Sequence, residues 1–266
     1  MSMVIAFIKD ILESLLRNTR IAIAGKKFIV NDTLSGLKKD GIFIVPSFLT
    51  VEQCEKYISI IDECIEDKSI NVWLDDEGAD HRIYFINEIN EDMNAFYKNQ
   101  YIRNLLTLYT GIINPKGMLL AAKIEYKKNN KGSGGGWHRD SPFNHQFKGI
   151  CYLNDVHEGN GPFQYIKRSH QKLYVLSSYL RGFFSPGQSR FTTNEVNAYC
   201  QSTRLEVFNI LGGSGTLVLS DTKGIHRGKP LDSGVRYVLF CYFWDWKIPE
   251  HFMKHRQGLP INTSEL

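Results

Sequence analysis

The second half of the chain constrains the fold most. From Gly117 onward, short runs rich in apolar and aromatic residues recur: "MLLAAKIEYKK", "KGICYLND", "PFQYI", "GTLVLSD" and "VRYVLFCYFW". Gly, Pro, Asn and Asp bound each run, the pattern of strands separated by turns. The first 115 or so residues are mainly helical in pattern instead. Thr50 reads as the N-cap of "VEQCEKYISIIDECIE", with Glu52 and Gln53 in its first turn. A second helical stretch covers roughly Asn90 to Tyr109, and "GIFIVPSF" reads as a strand stopped by Pro46. Helices first and then many short strands predict a mainly β fold with flanking helices, an antiparallel double sheet of the jelly-roll or cupin-like kind. The segment from Gln171 to Glu206 is too long and polar for a hairpin turn, and reads as an insertion or lid with some helix of its own.

Composition narrows the class. The 266 residues, 42% of them hydrophobic, suffice for a single domain over 1–266 with a substantial core. Its helical part spans 1–115 and its β-barrel core 116–246, with the insertion at about 171–206. A formal charge of +4 is too small to argue for nucleic acid, and fits an anionic small-molecule substrate or a solvated surface. Arg181, Arg190 and Arg204 with Phe183, Phe184 and Phe191 in the insertion would suit an acidic or amphipathic substrate, or a charged solvent face. The five cysteines (Cys54, Cys64, Cys151, Cys200, Cys241) form no C-x-x-C. That disfavours a zinc ribbon or a disulfide framework and points to a reducing, cytoplasmic setting. Lys9, Asp10 and Glu13 interrupt the apolar N-terminus, which excludes a transmembrane segment there. Ile5, Ile8, Ile11, Leu12, Leu15 and Leu16 follow helical spacing, so this helix is expected to pack on the domain; a face for a partner or a membrane surface is the alternative.

The chemistry gathers in "GGGWHRDSPFNHQ", residues 134–146. In an extended strand, residues two apart point the same way, so His138 and Asp140 would share one space while Arg139 faces out. Two His and one carboxylate suit non-haem Fe(II) and leave positions open for chemistry. The pair alone is weak evidence, since chance supplies roughly one His-x-acid pair in such a composition. The distal stretch "GTLVLSDTKGIHRGKPLDSGVRYVLFCYF" strengthens it. In a barrel, its hairpin would set His226 across from the His138 strand. Arg236 opens an otherwise apolar strand, and a buried Arg needs an anionic partner. Its planar fork suits a carboxylate, either of a keto-dicarboxylate cosubstrate or of a protein acid.

These residues resemble the phytanoyl-CoA dioxygenase (PhyH-like) family of Fe(II)/2-oxoglutarate-dependent oxygenases. His138-x-Asp140, "LNDVHEGNGPFQYIKRSH", His226 and Arg236 carry the resemblance, over about Met118 to Phe243. Asn154-Asp155, Asn160-Gly161-Pro162 and Ser169-His170 match the family's pattern, whereas Lys167-Arg168 replaces its usual Pro-Gly. "LKKDGIFIVPSFLTVEQCEKY" is a weaker echo of the family's opening strand and helix. The resemblance implies a double-stranded β-helix. It assigns His138, Asp140 and His226 to Fe(II), and Arg236 to the far carboxylate of 2-oxoglutarate. It further implies consumption of O2, decarboxylation of 2-oxoglutarate to succinate and hydroxylation of a C–H bond. Asp140 is the carboxylate that halogenating relatives lack.

Other residues receive plainer expectations. Lys123, in "LLAAKIEY", either assists 2-oxoglutarate or substrate binding or pairs with Glu125 at the surface. Asp221 and Gly224 fit the turn before the distal His, with Asp221 as a turn former. His145, His157, His251 and His255 read as solvated, His170 as holding a turn, and His81 as a loop residue, with a place lining a substrate entrance as the alternative. Glycines 134–136 read as a flexible lip delivering Trp137 and His138 to the pocket. Two rivals stay open: a cupin-type metalloenzyme that does not use 2-oxoglutarate, and a non-catalytic jelly-roll binding module.

Overall fold

The structure, a computed structural model, describes residues 3–23, 32–141 and 146–258. His145 lies outside the described residues. The chain opens with α1 (Met3–Ile23), α2 (Asp32–Asp40), β1 (Ile42–Val45) and α3 (Val51–Glu66). A hairpin of β2 (Val72–Leu74) and β3 (Asp80–Ile83) leads to α4 (Glu91–Tyr97) and α5 (Gln100–Thr110). Strands β4 (Lys116–Glu125), β5 (Phe147–Tyr152) and β6 (Phe163–Ile166) follow, and the insertion supplies α6 (Lys172–Leu180) and α7 (Thr193–Thr203). The chain then forms β7 (Val207–Ile210), β8 (Leu217–Asp221), β9 (His226–Gly228), β10 (Val235–Trp244) and α8 (Glu250–Met253).

Among the described residues, seven strands form one sheet in the order β1-β8-β5-β10-β4-β3-β2, and three form a second in the order β7-β6-β9. Every strand pairing is antiparallel. This is the jelly roll that the strand runs predict. Period-two alternation decides what each face of the large sheet meets. Leu119 and Ala121 of β4, with Leu239 and Cys241 of β10, pack with Leu37, Ile61, Ile102 and Leu105 of the helices. Leu120 and Ala122, with Ile150, Tyr152 and Val238, turn instead toward Phe163, Tyr165 and Ile210 between the sheets. Each fully buried Leu or Ile contributes about 1.5–3 kcal/mol relative to exposure, so a one-residue slip of β4 or β10 is strongly disfavoured.

Local signals hold in the helices, with three departures. Thr50 and Gln53 form a reciprocal capping box: the Gln53 N–H donates to the Thr50 hydroxyl (3.2 Å) and the Thr50 N–H to the Gln53 side chain (3.0 Å). The helical stretch expected over 90–109 is two helices, α4 and α5. Asn99 breaks it by accepting the Tyr101 and Ile102 N–H groups with its side chain, starting a new helix there. His81 lies in β3, paired with Lys123 of β4, not in a loop. Among the described side chains of α1, those at its C-terminal end pack: Ile21 is buried, Arg17 donates to the Tyr109 carbonyl and Arg20 pairs with Asp245. Ile5, Ile8, Ile11, Leu12, Leu15 and Leu16 stay exposed, so the expected packing of this stripe on the domain does not occur. Among the described residues, no helix is long and apolar enough to cross a membrane.

Candidate metal centre

Backbone pairing puts the two histidines side by side. The His138 N–H donates to the His226 carbonyl (2.9 Å) and the His226 N–H to the His138 carbonyl (2.8 Å), a closed antiparallel bridge between the 138 strand and β9. Residues in such a pair send their side chains to the same face, and the imidazole centroids are 4.2 Å apart. Two residues on, the Asp140 N–H donates to the Thr222 carbonyl (2.9 Å), which brings its carboxylate to that face. Asp140 Oδ1 lies 3.6 Å from His138 Nε2 and 3.8 Å from His226 Nε2. One donor atom from each residue thus falls within 4.8 Å of the others. Asp221 serves the same turn structurally: its carboxylate accepts the Lys223 N–H (3.0 Å), the Gln146 N–H (3.3 Å) and the Tyr109 hydroxyl (2.6 Å).

Hydrogen bonding fixes the ligand tautomers. His138 Nδ1 contacts the Gly136 carbonyl at 2.8 Å, and His226 Nδ1 contacts the Gly224 carbonyl at 2.9 Å. A carbonyl only accepts, so both Nδ1 atoms carry the proton and both Nε2 lone pairs face Asp140. Burial pushes the His138 pKa below its ordinary value; burial and then the neighbouring His138 push His226 well below. Both rings are therefore neutral, as ligation requires. Burial alone would raise the Asp140 pKa, but the Lys148 ammonium beside it holds the carboxyl well below the usual carboxylate range. Gly134 makes room for this arrangement: it has φ of +87°, and a Cβ there would stand 2.5 Å from His138 Cε1. Gly135 and Gly136 also have positive φ (67° and 95°). The three glycines are thus backbone positions that favour the absence of a side chain.

The two imidazoles open onto a cavity of about 520 Å³, measured with its open mouth. Arg236 lies on its wall, 2% exposed, and its Nε and Nη1 have no hydrogen-bond partner. Asp80, the carboxylate whose charge acts on Arg236, is engaged by Arg82 through Nε (3.0 Å) and Nη2. Burial lowers the Arg236 pKa, as expected for a guanidinium that lacks a bonded counter-charge. Lys123 is not on the wall. Its alternation with Leu120 and Ala122 turns it to the helix side of β4, where Nζ meets Asp62 of α3 at 2.9 Å, Glu125 at 3.8 Å and the face of Tyr237. The cosubstrate role expected as one reading of Lys123 is thereby corrected.

The outer face of the metal strand departs further from expectation. Arg139 does not face solvent: it is 1% exposed, with its guanidinium 5.9 Å from the Phe184 ring centroid and 5.3 Å from that of Phe191. Trp137 is not delivered to the pocket but is buried in the same cluster as Phe184, Phe191 and Tyr199. The reason is that the insertion lays residues 189–191 along the strand. The Arg139 N–H donates to the Ser189 carbonyl and the Phe191 N–H to the Trp137 carbonyl, each at 2.9 Å. No described residue of the insertion lines the cavity. Sequence reasoning also missed Lys148, which lines the cavity from β5 and meets Asp140 Oδ2 at 2.7 Å. The signal was available: like Arg236, it is a cation at the head of an otherwise apolar strand, "FKGICY".

A jelly roll that converges two imidazoles and a carboxylate beside an unpaired, buried arginine is the architecture of the Fe(II)/2-oxoglutarate-dependent oxygenases. The family described as Phytanoyl-CoA dioxygenase (PhyH) matches residues 37–234, and the chain belongs to it. Among curated proteins none matches. Solved structures of similar fold include the carbocyclase SnoK of nogalamycin biosynthesis, 15% identical, covering 82% of this chain and 84% of its own, with a TM-score of 0.62. The epimerase SnoN in complex with Fe3+, alpha ketoglutarate and nogalamycin RO is 13% identical over 80% of this chain and 82% of its own (TM-score 0.61). HygX from Streptomyces hygroscopicus, with nickel, 2-oxoglutarate and hygromycin B bound, is 10% identical over 84% of this chain and 90% of its own (TM-score 0.58). Fe(II) and 2-oxoglutarate are the cofactor and cosubstrate of this class, and the residues present fit them: a neutral-imidazole and carboxylate donor set, and a buried guanidinium with unused donors.

Proposed function

We propose that the chain, acting as one catalytic domain, hydroxylates a C–H bond of a small molecule. In this reading His138, Asp140 and His226 hold Fe(II), and Arg236 holds the far carboxylate of 2-oxoglutarate. The observation that carries it is the convergence of the His-Asp-His donors beside a cavity on whose wall Arg236 keeps Nε and Nη1 without hydrogen-bond partners. Bound iron would supply O2 activation coupled to decarboxylation of 2-oxoglutarate to succinate and CO2. The chain's own residues do the rest. The closed backbone bridge holds the two imidazoles at fixed separation, and the glycine carbonyls hold their Nε2 atoms toward the metal. Arg236, desolvated, offers paired donors to an incoming carboxylate.

The wall also speaks to the substrate. Arg82 and Lys148 are already neutralised by Asp80 and Asp140, and Arg236 is reserved for the cosubstrate. Leu120, Ile150, Phe163 and Phe240 supply apolar surface, so the reacting portion of the substrate is apolar. Epimerisation and ring closure, the reactions named for SnoN and SnoK, are the rival outcomes on the same fold. Two measurements test the reading. Mn(II) with 2-oxoglutarate should raise the Tm of the protein, by the equivalent of about 2.7 kcal/mol at a hundred times Kd; no shift would favour a non-catalytic module. Turnover of a small-molecule panel under 18O2 should give product carrying one labelled oxygen; an unlabelled product sinks hydroxylation and leaves the metal assignment standing.

A further inference from the structure

Lys148 is a cation inside the core of a β sheet, and its position has a specific chemical consequence. It lies on β5, opposite Tyr242 of β10, and is 6% exposed. Its ammonium sits 4.2 Å from the Tyr242 ring centroid and 2.7 Å from Asp140 Oδ2. The other oxygen, Oδ1, is the one that faces the two histidine Nε2 atoms, at 3.6 and 3.8 Å. The two oxygens of one carboxylate therefore have different surroundings, the Lys148 ammonium on Oδ2 and the two imidazoles beside Oδ1.

A carboxylate with both oxygens free can bind a metal through one or through both. An ammonium on one oxygen engages it in a charge-assisted hydrogen bond, and leaves only the other to the metal. We propose that Lys148 is a positioning residue of the metal centre, which keeps Asp140 a one-oxygen ligand by occupying Oδ2. The inference rests on the ligand assignment made above. Its consequence is a count of open positions. With three single-atom protein ligands, an octahedral ion keeps three sites for solvent, cosubstrate and O2. A chelating Asp140 would remove one of them.

The test counts water molecules on the Mn(II)-loaded protein by 17O-water broadening of the Mn(II) EPR signal, which needs neither substrate nor turnover. Wild type and Lys148→Arg, which keeps a donor on Oδ2, should hold about three waters, and Lys148→Met about two. Lys148→Ala serves as the second variant should the Met variant not fold. An unchanged water count in a folded Met or Ala variant overturns the proposal, even if its Tm falls, because a purely structural lysine moves stability alone. A wild type that takes up no Mn(II) overturns the ligand assignment and the role of Lys148 together. A wild type with two waters overturns only the role of Lys148.

Discussion

Two arginines in this molecule are alike in burial and opposite in meaning. Arg139 is 1% exposed and Arg236 2%, and in each the Nε and Nη1 lack hydrogen-bond partners. Burial draws both pKa values down. They differ in what the guanidinium faces. Arg139 is enclosed by the insertion, over the rings of Phe184 and Phe191, whose negative faces partly replace a counter-ion. Arg236 faces a cavity that also holds two imidazoles. An unpaired buried cation points to an anionic ligand only where open space adjoins it; against aromatic faces it is a packing element.

That contrast can be broken by experiment. The largest effect should come from Asp140→Ala, which removes the carboxylate proposed to bind the metal and should abolish substrate-independent succinate release; undiminished release would sink the assignment of Asp140 as a ligand. Arg236→Met should weaken 2-oxoglutarate binding by about 10²–10³-fold, the scale for losing one partner of a buried charged pair. Arg139→Met should leave that affinity unchanged, and equal losses in the two variants would erase the distinction. In the ligand-free protein both Met substitutions should be neutral or stabilising, by up to about 4 kcal/mol, since each removes a buried charge without a bonded counter-ion. Urea titration would show this.

The acid side of the pH profile sharpens the picture of the cavity. His138 and His226 stay neutral in the fold below their ordinary value of 6.5. As pH falls through about 6.5 the unfolded chain takes up protons that the folded chain refuses, so stability declines from there downward. Asp140, depressed in the fold, adds a loss of the same sign at lower pH, below its unfolded pKa of about 3.9. The ligand-free urea midpoint should therefore be lower at pH 5 than at pH 7.5; a flat profile would mean that the imidazoles are solvated. The smallest effect is expected at Lys123, whose partly exposed pair with Asp62 is worth at most about 1 kcal/mol. Lys123→Met should not change 2-oxoglutarate affinity.

What was legible in the sequence followed from short-range rules. Strands β4, β5, β6, β8 and β10 could be read from their apolar runs and turn residues, and the capping box at Thr50 from four residues. His138, Asp140, His226 and Arg236 stood out through the strand pattern together with the resemblance to the family's motif; the structure brings His138, His226 and Arg236 to one cavity, with Asp140 against the two imidazoles. The misses share a cause: alternation says which residues share a face, not what covers it. Lys123 and Glu125 do share a face, but it is the one packed by α3. Trp137 and Arg139 share the face opposite His138 and Asp140, and a segment some fifty residues away, carried by the insertion, buries it. For α1 the failure runs the other way, since helical spacing of apolar residues creates a stripe without guaranteeing a surface to receive it.

The groups that aim the two imidazoles are the carbonyls of Gly136 and Gly224. Every amino acid carries that carbonyl, so no side-chain replacement can delete either contact. A mutational scan of this centre would identify the donors themselves and Lys148, and would be blind to half of what orients them. Gly134 is the place where the hidden layer becomes visible: a single added methyl there would enter the space of the His138 ring. Among substitutions near the pocket, the one that adds the fewest atoms can thus disturb the centre as deeply as the loss of a ligand.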